Sequence, residues 1–218
     1  MQTLINQISL YPSVIFDMDG TLMNSEIWHH EAWNHMVQEF GCPKLSLKTL
    51  MAYGGLPTFD TTKKIIATYN LSATPEEMTQ RKNDLFINEY MAQVEPFTFF
   101  ADLLKELAAS GRRIGVATSS HQREARFLLE KTGLMPYIDT LVTGDLVQKG
   151  KPNPDIYLLA AHNLNAAPQD CLVFEDTVVG MQGCKRAHMD AIKVFDGAFD
   201  CDHIIKHDEL WPAREQLI

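Results

Sequence analysis

Five short apolar runs, at residues 13–17, 114–118, 140–143, 171–175 and 191–195, set the strongest limit on how this chain can fold. Each is strand length and mostly apolar on both faces, and most lead through turn residues into a helical pattern. A strand that is apolar on both faces must be covered on both. Such strands alternating with helices predict an α/β fold, a doubly wound parallel sheet. Helices are expected at 101–110 and 121–132, stopped by Gly111 and Gly133, and at 154–163, with Pro154 in the first turn.

One gap breaks the alternation. Between the first and second runs lie helical patterns at 25–40, 46–53, 58–69 and 74–94, with Ser25 and Thr74 as expected N-caps. Pro75, Glu76 and Glu77 suit a first turn. An insertion of this kind predicts a small helical domain, residues 23–95, on a core of residues 1–22 and 96–218. It would sit above the carboxyl ends of the strands, where open α/β sheets bind ligands.

The strand ends carry the chemistry. The first run ends in "FDMDGT", with Asp17 and Asp19 one residue apart; the second ends in Thr118, Ser119 and Ser120. Lys149 and Lys151 follow the third, and Glu175 and Asp176 close the fourth. Sheet topology brings all four junctions to one crevice. Carboxylates this close cannot all stay ionised without a counter-charge. Hard oxygen ligands suit Mg²⁺, which often takes one or two carboxylates plus substrate phosphate and water. Asp17 would be ligand and nucleophile, and its attack on phosphorus would give an aspartyl-phosphate. Asp19 would protonate the leaving oxygen and later activate a water. Thr118 and the backbone N–H groups of Ser119 and Ser120 would hold phosphoryl oxygens, and Lys151 would offset their charge. Capping of the next helix uses the same geometry, so Thr118–Ser120 could serve both ends.

"DMDGT", "VATSS", "GKPNPD" and "VFEDT" resemble, in order, the four signature motifs of the haloacid dehalogenase superfamily. The helical insertion is similar to that superfamily's cap. "DGTLMNSEIWHHEAW" and "GGLPT" resemble the branch of β-phosphoglucomutase-like sugar-phosphate phosphatases, the second being similar to the fructose-1-phosphatase type. The resemblance implies Mg²⁺ held by Asp17, the backbone carbonyl of Asp19, and Asp176, with Glu175 a direct or water-mediated partner. It implies that His29 supports the acid/base Asp19 and that Gly55 and Thr58 of "GGLPT" face the substrate. The mutases of this branch carry an arginine in that loop for a second phosphate. This chain has Thr58 there, which argues for a phosphatase. A mutase would have to find its grip elsewhere in the cap, as at Lys63 or Arg81.

The formal net charge of −9 argues against nucleic acid and anionic membranes as partners. No leader or membrane-spanning run is found, and Cys42, Cys171, Cys184 and Cys201 have no CxxC spacing, so a cytoplasmic protein with reduced thiols is expected. The expected partner is a small phosphorylated metabolite, and a monomer is expected. The leading function is a Mg²⁺-dependent sugar-phosphate phosphatase. The alternatives are a hexose-phosphate mutase and a non-catalytic metabolite sensor; a sensor would be expected to have lost a nucleophile or ligand, which this chain keeps. Trp28, Trp33 and Met36 fall at helical spacing and read as core, His30 and Lys149 as solvated, and residues 201–207 as a surface tail.

Overall fold

The computed structural model describes residues 6–54, 56–200 and 203–209. Gly55, Cys201 and Asp202 lie outside the described residues. Six strands form one sheet: β1 (Ser13–Phe16), β2 (Arg113–Thr118), β3 (Thr140–Thr143), β4 (Cys171–Glu175), β5 (Asp190–Phe195) and β6 (Ala198–Phe199). Their order is β3-β2-β1-β4-β5-β6. All pairings are parallel except β5 with β6. The expected α/β sheet is therefore present, with one short antiparallel edge strand that the sequence pattern did not announce.

The alternation of β1 explains the two layers. Val14 and Phe16 point into one core with Phe100 and Leu104, while Ile15 points into the other with Tyr157, Ala160 and Met181. The first face is covered by α5 (Thr98–Ala109) and α6 (Gln122–Lys131), the second by α7 (Asp155–Asn163) and α8 (Val178–Arg186). The strand order changes direction at β1, between β2 and β4. Open α/β sheets place ligands at such a switch point.

Between β1 and α5 the chain forms α1 (Glu26–Glu39), α2 (Leu47–Tyr53), α3 (Thr58–Tyr69) and α4 (Pro75–Leu85). Thr74 caps α4 in a capping box with Glu77, as its sequence suggests. The expected long helix at 74–94 instead leaves α geometry after Leu85, passing through a π turn (Phe86–Tyr90) and a 3₁₀ turn (Met91–Gln93). The wider turn keeps Tyr90 against α1, where it stacks on Trp28 and its hydroxyl lies 3.3 Å from His35 Nδ1. The two connections to this layer run side by side: Asn24 N–H donates to Glu95 O and Phe97 N–H to Leu22 O, both at 2.9 Å.

One further expectation is corrected and one is refined. Ser25 does not cap α1; its backbone is helical and its hydroxyl is drawn away to a carboxylate. Residues 203–207 run along the surface as expected, but Ile204 is buried and the segment is tied to the sheet. Ile205 pairs with Ala191 of β5, and Asp190 accepts bonds from Lys206 Nζ at 2.8 Å and His207 N–H at 3.0 Å.

Candidate active site

Asp17 continues β1, its N–H donating to Phe174 O at 2.9 Å. Its carboxylate is buried, and Oδ1 accepts from Lys151 Nζ at 2.5 Å. The same ammonium donates to Glu175 Oε2 at 2.8 Å. Tyr157 hydroxyl also donates to Oε2, at 2.6 Å, while Thr177 N–H and hydroxyl both donate to Oε1. Four donors therefore occupy Glu175, about the capacity of an ionised carboxylate. Burial would push Glu175 up, but Lys151, Tyr157 and Thr177 hold it below the ordinary carboxylate range. Asp17 goes the other way: burial and the Glu175 carboxylate raise it well above that range, against the pull of Lys151.

Asp176 completes the cluster. One oxygen from each of Asp17, Glu175 and Asp176 lies within 4.8 Å of the others. Asp176 Oδ1 is buried with no hydrogen-bond partner. Burial and its two acidic neighbours raise this group well above its ordinary range. An orphaned buried oxygen within an all-oxygen acidic cluster fits a hard divalent cation. Gly20 makes the close approach possible. Its φ is +84°, and a Cβ there would lie 2.3 Å from Asp176 Oδ2.

Asp19 faces a different set. It accepts from Ser25 hydroxyl at 2.6 Å, Ser120 hydroxyl at 2.7 Å and Thr118 hydroxyl at 3.0 Å. His29 Nε2 is 3.3 Å away. Burial raises Asp19, but the bonds from His29, Ser25 and Ser120 outweigh it and hold the group below its ordinary range. The network fixes the His29 tautomer. Lys82 Nζ, which can only donate, lies 2.9 Å from Nδ1, so Nε2 carries the proton toward Asp19. Burial and Lys82 push His29 down to about 4, leaving it neutral near pH 7. Its ring stacks on Phe86 at 3.8 Å.

Most of these groups line one cavity of about 120 Å³ between the strand ends and the helical layer, whereas Asp176 is not among its lining residues. Asp17, Asp19, Ser119, Ser120, Lys151 and Glu175 enter from the sheet side, His29 and Thr58 from the helices. Thr118 is buried just behind them. Lys149 is exposed, as expected. His30 is half-buried and lines the cavity, contrary to its solvated reading, because α1 turns that edge toward the strand ends. Trp33 and Met36 are core, Trp28 is half-buried, and Trp33 also borders the cavity.

Sequence reasoning passed over Glu26, Lys82 and Glu124, which also line the cavity. Lys82 and Glu124 left a readable signal. Each is a buried charge inside the apolar stripe of its helix, beside Met78 and Leu85 in one case and Ala125 and Leu128 in the other. The cap cations singled out from sequence are elsewhere: Arg81 pairs with Glu39 at 2.6 Å, and Lys63 is exposed beside Asp60.

A family model described as "Haloacid dehalogenase-like hydrolase" matches residues 14–194. The chain belongs to this family. Among its relatives is the fructose-1-phosphate phosphatase YqaB of Escherichia coli (strain K12), 34% identical over 84% of this chain and 96% of that protein. The β-phosphoglucomutase of Bacillus subtilis (strain 168) is 29% identical over 85% of this chain and 84% of that protein. A solved hydrolase structure from Pseudomonas syringae superimposes with a TM-score of 0.76 at 27% identity, covering 86% of each chain. Membership agrees with the resemblance carried by the four motifs.

Proposed function

We propose that this family member is a Mg²⁺-dependent phosphatase of a small sugar phosphate, working through an aspartyl-phosphate on Asp17. That it is a phosphomonoester hydrolase follows from its family and from relatives named as phosphatases. The substrate, metal and intermediate are the proposal. The observation that carries it is the pairing of two carboxylates with opposite surroundings in one cavity: Asp17 beside a lysine and the acidic cluster, Asp19 beneath donors.

Asp17 would attack phosphorus through its free oxygen as the bond to the sugar oxygen breaks. The leaving oxygen would take a proton from Asp19. Asp19, then ionised, would take a proton from a water whose oxygen attacks the phosphoryl group, releasing phosphate and regenerating Asp17. Asp19 is surrounded only by donors, which suits the second half of this cycle. Substrate must displace one of those donors before Asp19 takes up the proton needed for the first half. Lys151 holds Asp17 in place and offsets its charge, while Ser119 and Ser120 border the space for phosphoryl oxygens. Mg²⁺ would be held by Asp17, Asp176 and the backbone carbonyl of Asp19, and when bound it supplies positive charge against the carboxylates and the phosphate. Glu175, saturated by protein donors, would contact it through water and would mainly orient Lys151.

Residues 23–95 act in this proposal as a cap on a core of residues 1–22 and 96–218, hinging at the paired connections near Leu22 and Pro96. Such a hinge would let substrate in and then shield it from bulk water. Thr58, which lines the cavity, faces the substrate in this proposal. We place the enzyme in the cytoplasm, a setting supported by the free buried thiols of Cys42, Cys171 and Cys184.

A hexose-phosphate mutase is the second reading. Lys82, a cap cation in the cavity, and the β-phosphoglucomutase relative favour it. Thr58, which cannot pair bidentately with a second phosphate, stands against it. The deciding experiment supplies β-glucose 1-phosphate, Mg²⁺ and a catalytic amount of the bisphosphate, with an EDTA control. Phosphate release that stops in EDTA supports the phosphatase; glucose 6-phosphate appearing faster than free phosphate overturns it.

A further inference from the structure

Glu124 is a buried carboxylate that the proposed chemistry does not use. It occupies the first turn of α6, 5% exposed, on the stripe it shares with Ala125 and Leu128. An apolar residue would complete that stripe. The carboxylate instead borders the cavity beside Ser120 and His121. It makes no hydrogen bond and no ion pair within 4.0 Å to another described residue. The residue is buried, but its carboxylate oxygens are open to the cavity and are not among the sealed atoms without a partner, so they are available to a guest that enters there.

The charges around it define that partner. The lysines lining the cavity are Lys82 and Lys151. Lys151 is committed to Asp17 and Glu175. Lys82 comes from the opposite, helical side. It gives one donor to His29, leaving two of the three that an ammonium carries. Glu124 and Lys82 feel each other electrostatically, and each feels Asp19. Beside the groups committed around Asp17, the cavity therefore offers one carboxylate acceptor and one ammonium donor. That combination matches hydroxyls, which donate and accept. It opposes a second phosphate or a carboxylate, which would meet Glu124 as a like charge.

We infer that Glu124 is a specificity-determining residue: it accepts hydrogen bonds from the hydroxyls of a neutral polyol leaving group and turns away substrates that carry a second anionic group. This rests on the phosphatase reading. The test compares kcat/KM for phosphate release from fructose 1-phosphate and fructose 1,6-bisphosphate in wild type, Glu124→Gln and Glu124→Leu, with p-nitrophenyl phosphate as a substrate lacking hydroxyls. Glu130→Gln, on the exposed side of the same helix, is the control. Wild type is expected to favour the monophosphate. Removing the charge should narrow that preference by at least about tenfold, in Glu124→Gln and also in Glu124→Leu, which the apolar stripe accommodates. Glu130→Gln should leave the ratio as it was. A preference for the bisphosphate in wild type, or a ratio unmoved in both folded Glu124 variants, overturns the inference while hydrolysis of p-nitrophenyl phosphate keeps the phosphatase reading standing. Failure to hydrolyse any of the three esters with Mg²⁺ overturns both.

Discussion

Replacing Lys151 by methionine keeps most of the side chain's volume and removes its charge, which isolates the electrostatic work at this site. Lys151 is 3% exposed, and its ammonium lies 2.5 Å from Asp17 and 2.8 Å from Glu175. Methionine leaves two buried carboxylates facing each other, with Asp176 close by. Removing one partner of a buried ion pair costs about 3–5 kcal/mol. We expect a loss of that size in urea unfolding at about pH 7.5 in EDTA, since both carboxylates must then be charged or must take up a proton. The pH dependence follows with a definite sign. Asp17 already titrates above its ordinary range in the folded protein, and without Lys151 it rises further. A raised carboxylate binds a proton in the folded state that the unfolded chain does not hold. The stability deficit should therefore shrink as pH falls below about 7.5. Millimolar Mg²⁺ should restore more stability to the variant than to wild type, about 2.7 kcal/mol at a hundred times its Kd. A loss below about 1 kcal/mol, or a loss that does not change with pH and is indifferent to Mg²⁺, would refute the argument that Lys151 is the counter-charge of this cluster.

Asp17→Asn should reduce phosphate release by at least about a thousandfold while leaving the urea midpoint unchanged or higher, since it relieves carboxylate crowding; substantial retained turnover counts against the aspartyl-phosphate. Gly20→Ala should lower stability and weaken Mg²⁺ binding measured by calorimetry, because its Cβ would overlap the Asp176 carboxylate at a left-handed φ; wild-type Mg²⁺ affinity would disprove the close approach. Burial raises Asp190, but bonds from Lys206, Tyr11 and His207 bring it down to about 2, from 3.8. Asp190→Asn should therefore cost about 1–2 kcal/mol at pH 7 after allowance for solvent screening. That stability is present above the unfolded value and is lost as pH falls through the folded one, so variant and wild type should converge in acid; a constant difference would assign the effect to packing.

The sheet was legible because fully buried parallel strands leave unbroken apolar runs, and because each run here ends in residues too polar to continue it. β6 was not, being two residues long and held by β5 rather than by its own pattern. The early end of α4 left no Gly or Pro in its sequence; the break comes from packing Phe86 and Tyr90 against α1. Ser25 illustrates a different limit. Its position before a helix is ideal for a cap, but a carboxylate 2.6 Å away competes for the same hydroxyl, and only the folded chain brings the two together.

The candidate site divides along the same line. Asp17, Asp19, Lys151, Glu175 and Asp176 stand at strand ends or just after them, where topology alone sends them to one crevice. Lys82 and Glu124 stand in mid-helix and in a first turn, positions that a solvated charge occupies equally well. What separates them from solvated charges is the company they keep on the helix face. Lys82 replaces an apolar residue between Met78 and Leu85, and Glu124 does so beside Ala125 and Leu128. Each therefore carries a desolvation cost that no partner in its own helix offsets. The two border the same cavity with opposite charge, and each eases the other's burial electrostatically, as Asp19 does for Lys82. If the helical layer closes as proposed, their placement ties that closure to the contents of the cavity. A neutral, hydroxylated guest bridges the two charges, whereas a second anion pairs with Lys82 only by pressing against Glu124. The groups that would choose the substrate are thus two buried charges of opposite sign, one from the helical layer and one from the sheet side.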